Sequence, residues 1–192
     1  IVYSVFKEVD YATNLLTGPY KNSNIASAFR AANHAQNKDF VKIVDFSPYP
    51  PSYNAPASFI ASPIFNGKEK VGVLIFQMPV DQINDIMTNK LNWQEVGLGA
   101  SGESYIVGED FTMRNQSRFL IEDKNNYLSM IRSLGTEQTI VDRIDNLNSS
   151  IGLQMIDTKG AHAALAGQVA TDTYADYRGV SVLSAYRPLN LT

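Results

Sequence analysis

Cysteine is absent from these 192 residues. Its absence removes a disulfide framework, thiolate catalysis and thiolate metal ligation together. It also suits an oxidising compartment, where free thiols are a liability. Histidine is nearly absent. Only His34 and His162 occur, and neither has a carboxylate or a second His at i+3 or i+4, so a metal site lacks its ligand set. No segment approaches the roughly 20 apolar residues of a membrane span; the longest apolar stretch, Val71 to Val80, is interrupted by Gln77. No run of Lys and Arg reaches five, and 16 basic against 19 acidic residues leave a net charge of -3. That balance argues against nonspecific binding to DNA or to anionic lipid. The chain has no GxSxG, so the strained elbow of a serine hydrolase is missing.

What remains is an ordinary globular composition, 44% hydrophobic and 18% charged. Its length allows one large domain or two small ones. Ile1 to Val9 alternates apolar and polar residues and reads as a strand. Ser23 to Ala35 carries Ile25, Ala28, Phe29 and Ala32 at helical spacing, with Ser23 or Asn24 as N-cap. Phe40 to Phe46 reads as a second strand. Pro48, Pro50, Pro51 and Pro56 then predict an irregular loop. Ser58 to Phe65 and Lys70 to Met78 form a hairpin around Asn66-Gly67. A helix opens at Asp81, carries Ile83, Ile86, Met87 and Leu91, and joins the two halves as far as Val96.

The second half repeats this plan. Short strands at Ser104 to Val107 and Phe111 to Asn115 flank Gly108-Glu109-Asp110. Helices and loops fill residues 123 to 165. Gln168 to Tyr174 and Val180 to Tyr186 make a final hairpin, turned at Tyr177-Arg178-Gly179. The expected fold is therefore α+β: two tandem lobes, 1–96 and 97–192, each an antiparallel sheet with helices on one face. Because the chain opens on one strand and closes at Arg187-Pro188-Leu189 just after another, we expect a piece of a longer protein.

Gly97-Leu98-Gly99-Ala100-Ser101-Gly102 matches GxGxxG. A dinucleotide site needs a strand before these glycines and a helix N-terminus after them. Here the order is reversed, so a turn between lobes is expected. Glu103 and Asp110 are imaginable as an acid/base pair, but exposed acids on strands are common. Asn115-Gln116-Ser117, Asn148-Ser149-Ser150 and Asn190-Leu191-Thr192 fit the glycosylation sequon and carry little weight. The stretch Tyr49 to Phe59 is more informative, because aromatics in a proline-stiffened loop suit a small-molecule pocket. Tyr49, Ser52, Tyr53, Phe59 and Tyr11 are the candidate ligand residues. Packing in the core is the competing reading of Phe59 and Tyr49. Arg114 and Arg118 lie among Glu103, Glu109, Asp110 and Asp123. They suit either a bidentate fork for an anion or a tie between the strands and the helical insert, and the tie is favoured.

The run Tyr3 to Leu15 with Gly18-Pro19-Tyr20 resembles the membrane-distal lobe of bacterial double-Cache sensory domains, as does Tyr49 to Phe59 with Ala61-Ser62-Pro63-Ile64. Gly97 to Asp110, Met113-Arg114 and Ser117-Arg118-Phe119 resemble the start of the proximal lobe. Tyr177-Arg178-Gly179-Val180 and Ala185-Tyr186 resemble its last hairpin. The resemblance implies the extracytoplasmic part of an inner-membrane receptor, foremost a methyl-accepting chemotaxis protein, with a sensor histidine kinase or nucleotide cyclase as alternatives. It implies a small ligand in the distal lobe, a membrane-anchored, homodimeric parent, and a long N-terminal helix and one strand missing from lobe 1–96. The Arg-Trp-Tyr cluster of amino-acid-binding members is lacking, since the single Trp is Trp93 in the connector; an amino-acid ligand is not expected. No catalytic residue, cofactor, metal or nucleic-acid partner is expected. An enzyme, or a soluble solute-binding module, are the rival classes.

Overall fold

In the computed structural model, residues 1–5 and 9–189 are described. They are α+β and divide into two compact units, one from Ile1 to Met78 and one from Pro79 onward. The division falls ahead of the Asp81 helix rather than at Gly97, so residues 79–96 belong to the second unit.

The first unit carries helix α1 (Asn24–His34) and strands β1 (Lys42–Tyr49), β2 (Ala55–Asn66) and β3 (Glu69–Gln77). The strands form one antiparallel sheet in the order β1-β2-β3. The helix lies where apolar spacing places it. Ile25, Ala26, Ala28 and Ala32 bury with Ala57, Phe59 and Ala61 of the sheet. Small residues on both sides let helix and sheet approach closely. The Asn24 amide completes the join, donating to the Ala57 carbonyl at 2.5 Å and to that of Asp45 at 3.3 Å. Ser23 precedes the helix as its N-cap, but its hydroxyl donates backward to Tyr20.

Two expectations are corrected in this unit. Residues 1–5 and 9 form no strand, while residues 6–8 of that expected strand lie outside the described residues. The Ile1 ammonium donates to the Thr13 carbonyl and the Ile1 carbonyl accepts from Ala12, so this end closes on its own loop instead of a ladder. The proline-rich stretch is also more regular than its composition suggests. β1 runs through Pro48, and Pro48 stands opposite Pro56 of β2. Only residues 50–54 leave the sheet, with Pro50–Ser52 forming a single 3-10 turn. Pro56 and Pro63 fit inside β2 because each lies where β2 has one partner. β1 pairs with it at 55–61 and β3 at 59–66, so only the middle residues need both sides of the backbone. The β2–β3 hairpin forms as expected, with Gly67-Lys68 as the loop and Asn66 already paired to Glu69. Gly67 takes φ 61°, which a two-residue hairpin loop requires.

The second unit begins with α2 (Val80–Thr88). This helix does not continue to Val96. Asn89, Lys90 and Leu91 all turn left-handed, with φ 48°, 54° and 70°, and the Thr88 hydroxyl accepts from the Leu91 N–H. Pro79 holds the N-cap position, and Asp81 lies in the first turn. Ile86 is 78% exposed, so the four apolar residues do not share one buried face. The expected strands at 104–107 and 111–115 shrink to the bridges Val107–Met113 and Thr112–Met155. Helices α3 (Arg118–Glu122), α4 (Lys124–Ser133), α5 (Gln138–Leu147) and α6 (Lys159–Leu165) follow. Their core is Leu120, Tyr127, Leu128, Ile131, Val141, Ile144 and Leu153. The last hairpin, β4 (Ala170–Ala175) and β5 (Ser181–Tyr186), forms as expected. The Asp176 carboxylate shapes its turn by accepting from the N–H groups of Arg178 and Val180.

Candidate functional site

Tyr49 closes β1 and joins the core that α1 covers. It is 1% exposed, its ring meets Phe59 edge-on at 5.2 Å, and its hydroxyl donates to the Asp10 carboxylate. Both aromatics are core residues of the first unit. Tyr49 is thus enclosed in the core of the first unit. A buried Tyr needs a polar partner, and Asp10, 39 residues away, supplies it within the protein. Tyr53 goes the other way. The 3-10 turn ends with Tyr53 and Asn54 left-handed at φ 55° and 61°, which leaves Tyr53 91% exposed. Ser52 and Tyr11 are partly buried. The structure thus joins Tyr49 to Phe59, and the Asp10–Tyr49 hydrogen bond links the loop carrying Tyr11 to the turn carrying Ser52 and Tyr53.

The second unit contains a polar constellation that the sequence reading did not assemble. The Glu103 carboxylate accepts from the Arg118 N–H at 2.7 Å and from the Tyr177 hydroxyl at 2.8 Å. Tyr177 is 3.0 Å from the Ser117 hydroxyl and packs edge-on against Tyr105 at 5.9 Å. Arg178 binds Asp176 at 2.7 Å and lies over the Phe119 ring at 3.9 Å. Glu103 keeps some exposed surface as a residue, yet its carboxylate is enclosed. That enclosure raises its pKa above the ordinary glutamate value, against the opposing hydrogen bonds from Tyr177, Arg118 and Ser117 and the charge of Arg178. Burial likewise drives the Tyr105, Tyr127 and Tyr177 phenols far above their solution value. Tyr127 donates to Gln154, and Ser150 accepts from the Ser117 N–H. Among the described residues no buried side-chain polar atom lacks a partner.

Both arginines of this block are buried and committed. The Arg114 guanidinium binds Asp110 at 2.8 Å and the Thr112 carbonyl at 3.0 Å. Burial of Asp110 opposes ionisation, but hydrogen bonds from Thr112 and Arg114 outweigh it and lower the pKa. Arg118, 4% exposed, binds Glu122 and donates to the carbonyls of Gly99, Ala100 and Gly102. Its guanidinium also covers Trp93 at 4.6 Å. The glycine loop therefore offers carbonyls to a cation, the opposite polarity to a phosphate cradle of N–H groups. Of the acids expected near these arginines, Asp110 pairs with Arg114 and Glu103 meets the Arg118 backbone. Asp123 caps α4 instead, and Glu109 is exposed. A polar cleft of about 330 Å³ borders Trp93, Glu95, Arg118 and Glu122.

His34 bonds the Arg30 carbonyl, while His162 bonds Asp157 and stacks near Phe111. Among the described residues no three His, Asp or Glu side chains converge as a metal site, and no helix is long and apolar enough to cross a membrane. Asn115 of the first sequon is fully buried. Sequence could have flagged Tyr177 only as a turn residue, because its partners Ser117 and Glu103 lie 60 and 74 positions away. No protein-family model, curated protein or solved structure matches the chain.

Proposed function

We propose that this chain is the ligand-sensing ectodomain of a bacterial transmembrane signalling receptor, foremost a chemotaxis receptor, with its two units as tandem PAS-like lobes of the double-Cache kind. The observation that carries the reading is the succession of two α+β units. In the first, α1 covers one face of an antiparallel sheet; in the second, an antiparallel hairpin follows a helical insert. Of the stretches that resemble such domains, Tyr49 to Phe59 with Ala61-Ser62-Pro63-Ile64 spans the end of β1 and β2, and Tyr177-Arg178-Gly179-Val180 with Ala185-Tyr186 lies in the β4–β5 hairpin.

The ligand seat in this reading is the surface between the loop carrying Tyr11 and the turn carrying Ser52 and Tyr53, joined beneath by Asp10 and Tyr49. Exposed Tyr53 supplies contact area, and the hydroxyls orient a polar group. A ligand preferring one conformation of the unit shifts the population toward it, and the parent receptor, membrane-anchored and dimeric, carries that shift inward. A thermal-shift panel of carboxylates, amines, sugars and nucleobases tests this. A ligand at 100 times its Kd adds about 2.7 kcal/mol to stability. The expected result is one chemical class that raises Tm in the wild type and loses that effect in Tyr53→Ala. A hit whose effect survives both Tyr53→Ala and Tyr11→Ala overturns the seat. A panel without hits counts against the receptor reading.

A further inference from the structure

Glu103 stands where three parts of the second unit meet. It follows directly on the glycine loop, it accepts from the first N–H of α3, and it receives the hydroxyl of Tyr177 in the β4–β5 turn. Tyr177 in turn contacts the fully buried Ser117, the N-cap of α3. We propose that Glu103, Tyr177 and Ser117 form a proton-responsive latch that holds the β4–β5 turn against the start of α3 more firmly when Glu103 takes up a proton.

The geometry allows both protonation states. With Glu103 ionised, the Tyr177 O–H donates to the carboxylate. With Glu103 protonated, its O–H donates to the Tyr177 oxygen, and the Tyr177 hydrogen turns to Ser117, 3.0 Å away. The Ser117 hydroxyl, which borders the carboxyl group in the ionised state as well, keeps donating to it. The proton comes from solvent, and no bond other than O–H changes. Hydroxyls are suited to this because each is both donor and acceptor. The Arg118 N–H keeps its acceptor in either state, since it uses the other carboxylate oxygen.

The surroundings leave Glu103 as the group that titrates. From the β4–β5 turn, Arg178 faces it with its charge tied to Asp176. From α3, the Arg118 guanidinium is directed to Glu122 and the loop carbonyls. Tyr105, Tyr177 and Tyr127 of α4 stay neutral at any physiological pH because burial raises them. Enclosure raises Glu103 itself, outweighing the hydrogen bonds from Tyr177, Arg118 and Ser117 and the charge of Arg178, which favour the ionised form. A carboxyl raised in the folded state binds more protons there than in the unfolded chain, so the latch is firmest in acid and loosens as pH rises through the folded value. This property holds whether or not a small molecule binds elsewhere, so it does not rest on the receptor reading.

The test uses the whole chain. Carboxyl carbon NMR follows Glu103 directly, and hydrogen exchange follows the amides of residues 176–180, corrected for intrinsic rates. The expected result is a Glu103 midpoint above ordinary glutamate. Protection of the turn should fall as pH rises from the ordinary glutamate value through the Glu103 midpoint, by up to about tenfold per unit of midpoint shift. Glu103→Gln, an isostere of the protonated acid, should abolish that dependence and hold the turn at its acid-side protection. A midpoint at or below ordinary glutamate overturns the proposal, as does the same pH dependence in Glu103→Gln. If Glu103→Gln does not fold, the wild-type NMR midpoint decides alone.

Discussion

Replacing Tyr49 separates a core residue from a pocket residue. Tyr49 is 1% exposed and packs on Phe59, so Tyr49→Ala removes a buried ring from the first unit. Truncating a large aromatic in a core costs about 3–5 kcal/mol. The same substitution deprives the Asp10 carboxylate, itself 8% exposed, of the Tyr49 hydroxyl. Leaving a buried acceptor short of a donor adds about 1–3 kcal/mol. The sum of about 4–8 kcal/mol is comparable to the whole stability of a small domain, about 5–15 kcal/mol. Tyr49→Phe keeps the ring and isolates the second contribution, about 1–3 kcal/mol. Tyr53→Ala, at a 91% exposed position, should change stability by no more than about 0.5 kcal/mol. Urea unfolding followed by far-UV circular dichroism measures all three. Trp93 lies in the second unit, so its fluorescence does not report directly on this core. If Tyr49→Ala unfolds within about 1 kcal/mol of the wild type, the ring is not a core element and the reasoning fails.

Arg118→Lys retains the charge but replaces a planar fork with a point donor. It cannot hold Glu122 and three loop carbonyls together, and a loss of about 2–3 kcal/mol is expected in chemical denaturation read by Trp93 fluorescence. Unchanged stability would refute the clamp. Arg114→Ala removes the bonds to Asp110 and Thr112 and should lower Tm without altering the affinity of any first-unit ligand; altered affinity would make Arg114 a ligand residue. Gly160→Ala sets two effects against each other in α6. Helix propensity favours Ala by about 1 kcal/mol, but a Cβ there would come within 1.8 Å of the Tyr174 hydroxyl. Displacing that ring breaks its bond to Ser184, so a net loss of about 1–3 kcal/mol is expected, and a rise in Tm would refute it.

Helix α1 and the two hairpins were legible because their signals are local. Apolar residues three and four apart, Gly67 after Asn66, and Tyr177-Arg178-Gly179 between two alternating runs each act within a few residues. The α+β class follows from them. In sequence the prolines signal a break, because sequence does not show which stretch of a strand has neighbours; Pro56 and Pro63 are tolerated because β1 and β3 overlap on the middle of β2 alone. The apolar spacing predicts a helix that runs on past α2 because Leu91 keeps it, whereas the backbone turns left-handed at Asn89. The site residues depended most on tertiary structure. An aromatic with a hydroxyl is equally fit for a core and for a pocket, and only the fold brings Asp10 to Tyr49 across 39 residues. Likewise the chain shows that Arg118 and Glu103 are charged, but a donor does not name its acceptor. Which carbonyls surround Arg118, and that Tyr177 arrives at Glu103 from 74 residues away, were decided when packing closed the second unit. Short-range backbone preferences are written in neighbouring residues, while the partner of a buried polar group is chosen by whatever the assembled core places within hydrogen-bond reach.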